Sequence, residues 1–135
     1  MTTRTARCVC GQLSVEVEGE PSGVYACSCK KCQRGSGSAF SYAAQFKKAA
    51  LKISGERKAY RDTGESGNWT EGHFCPTCGA TVFTFFQNMP EEAIVSAGCF
   101  EDSSFAPPQI LFWASRKHGW LKVPESTQQL DTQPD

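Results

Sequence analysis

Cys75-Pro76-Thr77-Cys78-Gly79 reads as a knuckle: two sulfurs separated by two residues converge on one metal ion, and the glycine can take the positive φ that lets backbone N–H groups donate toward them. Cysteines this close rarely reach disulfide geometry with each other, so in a reducing cytoplasm they read as metal thiolates. Working outward, Cys8-Val9-Cys10 offers a second pair. On the edge of an extended segment, residues i and i+2 face the same way, so both sulfurs can approach one ion. Cys8, Cys10, Cys75 and Cys78 together would make a closed tetrahedral zinc site. It would tie the first strand to the middle of the chain and contribute on the order of 10 kcal/mol to folding.

The third cluster, Cys27-Ser28-Cys29-Lys30-Lys31-Cys32, supplies three thiolates within six residues. They can cap three corners of a tetrahedron and leave the fourth open, which is what a catalytic zinc needs. Such an ion polarises an oxygen, activates a water or takes up a substrate thiolate. Three thiolates leave a net charge near −1, so Lys30, Lys31 and Arg34 also act as counter-charges. A fourth donor from Cys99, His73 or His118 would instead make both ions structural. Alone, Cys99 reads as a small core residue.

Between the clusters the chain reads as strand. Leu13, Val15 and Val17 alternate with Ser14, Glu16 and Glu18, the period of a half-buried strand. Phe40, Tyr42, Ala44 and Phe46 alternate similarly, and Leu51 with Ile53, 59–61, 81–86, 93–97 and 110–113 follow between Gly, Pro, Asn and Asp punctuation. Many short strands predict an all-β domain of small antiparallel sheets rather than a parallel α/β sheet. Helix is expected only at 46–50 and around 100–104. A single domain over 1–123 is expected, followed by a frayed tail over 124–135, where there is almost nothing to bury.

No apolar h-region precedes the first cysteine and no stretch approaches a membrane span, so a soluble, cytoplasmic protein without a membrane partner is expected. The chain is neutral overall, with 14 basic and 14 acidic residues, which disfavours a nucleic-acid partner. The distribution is uneven. Residues 30–61 hold nine basic residues against Glu56 alone, a charge of +8. Lys47, Lys48, Lys52, Arg57 and Lys58 read as solvated strand faces or as a basic rim over the open site. Trp69, Phe83, Phe85, Phe86, Phe112, Trp113 and Trp120 read mainly as packing aromatics.

The pattern resembles the glutathione-dependent formaldehyde-activating enzyme family, which includes centromere protein V. The resemblance rests on Cys8-Val9-Cys10-Gly11, on Cys27-Ser28-Cys29-Lys30-Lys31-Cys32-Gln33-Arg34-Gly35, and on Phe74-Cys75-Pro76-Thr77-Cys78-Gly79. Gly98, Glu101-Asp102, Phe105, Pro107-Pro108, Lys117 and Trp120 look like its later signposts. It implies a β-tent of small twisted antiparallel sheets organised around zinc thiolates, with a structural zinc at Cys8, Cys10, Cys75 and Cys78 and a catalytic one at Cys27, Cys29 and Cys32. The implied activity is that of a carbon–sulfur lyase joining glutathione and formaldehyde to S-(hydroxymethyl)glutathione, or splitting that adduct. Arg34 is the candidate clamp for a carboxylate of the small-molecule thiol. Three positions depart from the family's usual residues: Ser28 and Gln109, where histidine is common, and Cys99 in place of a small hydroxyl residue. The alternative from another class is a non-catalytic zinc-binding module for a nucleic-acid or protein partner.

Overall fold

The structure, a computed structural model, describes residues 2–133; Met1, Pro134 and Asp135 lie outside them. In chain order the strands are β1 (Thr3–Arg7), β2 (Ser14–Glu18), β3 (Gly23–Cys27), β4 (Ser41–Lys47), β5 (Leu51–Ser54), β6 (Lys58–Thr63), β7 (Trp69–Phe74), β8 (Thr81–Phe86), β9 (Glu92–Ser96), β10 (Ile110–Phe112) and β11 (Gln128–Gln129). One α-helix, α1 (Lys30–Ser36), interrupts them. The fold is all-β. Strands β1, β2 and β5 form a three-stranded antiparallel sheet, and the other eight form an open sheet in the order β11-β10-β3-β4-β9-β8-β7-β6. Its pairs are antiparallel from β3 to β6, while β10 runs parallel to both β3 and β11.

Alternation explains why the two sheets meet. Register sets Ala6 opposite Val15, Val15 opposite Ile53 and Val17 opposite Leu51, so one face of the small sheet is apolar. From the large sheet, Val24, Ala44, Phe46, Ala93, Val95, Phe83 and Phe85 join the same buried cluster. Each buried valine, leucine or phenylalanine contributes roughly 1.5–3 kcal/mol, so this shared core holds the sheets face to face. Among the described residues, no helix is long and apolar enough to cross a membrane.

Four segments and one side chain depart from the sequence expectation. Phe46 and Lys47 belong to β4, with only a 3-10 turn at Lys48–Ala50, and the turn near residue 100 is a 3-10 turn at Ala97–Cys99. The α-helix lies instead at the cluster of Cys27, Cys29 and Cys32. The expected frayed tail is held at its centre: Gln128 N–H donates to Gln109 O at 2.9 Å, Leu130 N–H donates to Leu111 O at 3.0 Å, and Thr127 is buried with its hydroxyl on Pro108 O. Backbone pairing needs no apolar side chain, which is why a polar tail adds a strand here. Finally, Trp120 does not pack: it is 69% exposed and stacks on His118.

Candidate functional site

Both outer cysteine pairs sit in turns. Cys8 and Cys10 do not lie on an extended edge, as alternation suggested, but in the turn after β1, where Gly11 N–H donates to Cys8 O and Leu13 N–H reaches Cys8 Sγ at 3.3 Å. The turn lets both sulfurs swing to one side while Val9 between them points to solvent. The second turn follows β7. Gly79 takes φ 81°, its N–H donates to Cys75 O, and the N–H groups of Thr77 and Cys78 donate to Cys75 Sγ at 3.3 and 3.5 Å.

These turns bring four sulfurs within 4.8 Å of one another. Cys8 Sγ lies 3.6 Å from Cys10 Sγ, which lies 3.7 Å from Cys75 Sγ. A tetrahedral zinc with Zn–S bonds of about 2.3 Å requires sulfur–sulfur edges of about 3.8 Å, so the donor set fits that ion. The electrostatics agree. Burial raises the Cys75 thiol, but a hydrogen bond from Gln12 and the two backbone N–H groups outweigh it and bring the pKa down to about 6.

Gln12 has no signal in the sequence. Its Nε2 donates to Cys75 Sγ at 2.9 Å and to Glu56 O at 2.7 Å, while its Oε1 accepts from Glu56 N–H. It joins the sulfur set to the turn beyond β5. Gly55 permits the approach: a Cβ there would sit 1.9 Å from Gln12 O. Outer donors of this kind tune metal affinity, so Gln12→Leu is expected to weaken zinc binding at the four-sulfur set about 10- to 100-fold. Competition with a chromophoric chelator measures it.

The middle cluster occupies the junction of β3 and α1. Cys27 ends β3 and is buried; Cys29 is the residue before the helix, and its Sγ accepts Cys32 N–H at 3.3 Å. Cys29 and Cys32 therefore share the i, i+3 relation that puts both on one side of the first turn. All three sulfurs lie within 4.8 Å of one another, and among the described residues no fourth His, Cys, Asp or Glu joins them. The three alternatives for that place lie elsewhere. His73 is buried, stacked on Phe83 with its Nε2 on Glu71; His118 stacks on Trp120; and the Cys99 thiol, directed to Thr81 O, is raised by burial and by Cys8 and Cys78. Within the trio Cys32 is drawn down to about 6, chiefly by a hydrogen bond from Cys27, with Ser41 and Cys29 adding. Cys27 is raised by the same bond and by burial, and Cys29 by burial. All eight cysteines are free thiols.

Two further features adjoin this cluster, and the sequence signalled neither Gln33's bracing role nor the backbone conformation of Trp113. Gln33 is buried on the inner side of α1, where its Nε2 donates to Ser28 O at 2.7 Å and to Arg116 O at 3.2 Å. It pins the helix to the cysteine loop and to the segment after β10. Trp113 follows Phe112, the partner of Cys27, and adopts a left-handed conformation at φ 56°. A bulky residue there is strained, and such strain concentrates at functional sites. Ser28 Oγ is fully buried without a hydrogen-bond partner. Arg34 is exposed on α1, about 200° around the helix from Cys32.

A crystal structure of a Rhodobacter sphaeroides protein shares the fold, with a TM-score of 0.58 and 24% identity over 72% of this chain and 87% of that one. No curated protein matches the chain. The family described as glutathione-dependent formaldehyde-activating enzyme matches residues 3–116. That span takes in both sulfur sets, the helix between them and the core that carries them, and the chain belongs to the glutathione-dependent formaldehyde-activating enzyme family.

Proposed function

We propose that the chain is a zinc-dependent carbon–sulfur lyase acting on S-(hydroxymethyl)glutathione or a closely similar thiol adduct. The observation that carries this reading is unequal completion: among the described residues one sulfur set has four donors, the other three with no fourth in reach. By the chemistry of their donors, Cys8, Cys10, Cys75 and Cys78 would hold a structural zinc, and Cys27, Cys29 and Cys32 a catalytic one. When bound to the trio, zinc supplies Lewis acidity and an open coordination position.

The chain's residues do the rest. Gln33 fixes the angle between α1 and the cysteine loop, so the three sulfurs keep their spacing. Lys30, Lys31 and Arg34 place positive charge around a set with a net charge near −1, and they suit a tripeptide with two carboxylates. Arg34 supplies a planar fork for a carboxylate held away from the sulfurs. The reaction balances without redox. Joining forms a carbon–sulfur bond and moves the thiol proton to the aldehyde oxygen; splitting reverses both. Free, clustered thiols suit a reducing cytoplasm.

The basic segment supports this reading over a nucleic-acid module. Phe83 and Phe85 are buried in the core and Arg61 lies over the ring of Trp69, so these aromatics offer no free faces on which bases could stack. The test is exchange of the hydroxymethyl group between labelled formaldehyde and glutathione, followed by NMR on protein carrying two zinc equivalents. Acceleration over buffer that is lost when the weaker-held zinc is removed by mild chelation supports the proposal. A rate equal to buffer with both equivalents present overturns it.

A further inference from the structure

Lys31 lies on α1 between two of the sulfur donors, and its ammonium makes a 2.8 Å ion pair with Asp62 of β6. The pair spans an unexpected distance in the fold. Strands β3 and β6 stand third and eighth in the sheet order, so the element following Cys27 touches a strand five places away. The sheet must curl to allow it. Register shows which residues share a face: Cys27 with Ser41 at one end, Thr84 with Gly72 midway, and Tyr60 with Asp62 at the far end. Arg61, next to Asp62, points the other way, to Glu71 and Trp69. This face runs from the cysteine trio to β6, and the Lys31–Asp62 pair joins its two ends.

On the helical wheel Lys31 stands about 100° from Cys32, flanking the sulfur side, whereas Arg34 stands nearly opposite. The Asp62 carboxylate is chemically the same group as either carboxylate of a glutathione-like thiol. With side chains 62% and 38% exposed, the pair is wet and holds weakly, so another carboxylate can exchange for it.

We propose that Lys31 binds a carboxylate of the thiol substrate and that Asp62 occupies Lys31 in the free protein, so that the pair selects thiols carrying a carboxylate near the sulfur. This rests on the thiol-handling reading above. Asp62 is a competitor within the chain, and Lys31 is the residue that determines specificity. A neutral thiol gains nothing from displacing Asp62; an acidic one takes its place on the Lys31 ammonium and releases the partly exposed Asp62 carboxylate to water.

The experiment is calorimetric titration of the two-zinc protein with glutathione and with its diethyl ester, in about 0.15 M salt, where exposed charges beyond about 8 Å are screened. Asp62→Asn should tighten glutathione binding about two- to five-fold and leave ester binding unchanged. Lys31→Met should weaken glutathione binding by a similar factor and leave the ester unchanged. In the double variant the Asp62→Asn gain should vanish. Equal changes for acid and ester, no change for either, or a gain that survives without Lys31 would each overturn the assignment. If the unaltered two-zinc protein binds neither thiol, the thiol-handling reading itself falls, and this inference with it. Zinc content and circular dichroism of each variant confirm that the exposed pair was removed without disturbing the fold.

Discussion

Cys78→Ser is expected to yield a chain that does not fold. The four-sulfur set joins the turn after β1 to the turn after β7, and one of its contacts spans 65 residues, Cys10 to Cys75. A closed structural zinc contributes on the order of 10 kcal/mol. A domain of this size has a total stability of only about 5–15 kcal/mol, so losing one thiolate consumes most of the margin. The loss is also local and severe: Cys75 is fully buried, and its neighbours Gln12, Thr77 and Cys78 have oriented donors toward its sulfur. Without the ion those donors face a thiol that cannot repay them fully. Far-ultraviolet circular dichroism and urea titration check the outcome; a cooperative transition with an unchanged midpoint would refute the structural role.

Cys29→Ser is expected to behave oppositely, keeping the fold and losing the chemistry. Cys29 is half-buried at the start of a seven-residue helix and lies outside the core shared by the two sheets. Serine can still cap the helix by accepting Cys32 N–H, so the local cost is about 1 kcal/mol or less. What disappears is one of three donors to an already incomplete set. The expected readings are a fall in zinc content from two equivalents to one, a melting temperature within a few degrees of the original, and loss of hydroxymethyl exchange by about a thousandfold or more. Native mass spectrometry and the exchange assay check both. Equal loss of structure in Cys29→Ser and Cys78→Ser would defeat the division of roles.

The contrast shows which parts of the molecule the sequence could reveal. The knuckle at Cys75–Gly79, the alternation in β2 and β4 and the β-branched or aromatic runs of β8 and β9 are local, and local geometry is written in residue type. The sites of failure share a different cause. Helix α1 carries Gly35 and no apolar stripe; it forms because Cys29 caps it and Gln33 anchors it, and it serves to aim Cys29 and Cys32 rather than to bury a face. Strand β11 is two glutamines held by main-chain bonds to a strand that is itself only three residues long. Gln12 and Gln33 act through amides whose partners, a sulfur, three main-chain carbonyls and a main-chain N–H, are chosen only once the chain has closed. The curl that sets Asp62 against Lys31 is the most remote of these, since no pattern in either segment hints at the other.

The two sulfur sets also differ in when a growing chain can complete them. The trio has all its donors once residue 32 has emerged from the ribosome, whereas the quartet waits for residue 78. Closing a long loop costs entropy that rises with the logarithm of its length, and the trio escapes that cost. During synthesis, then, the compact set is the first able to capture metal, and the long-range set is the step that commits the nascent polypeptide to its final topology.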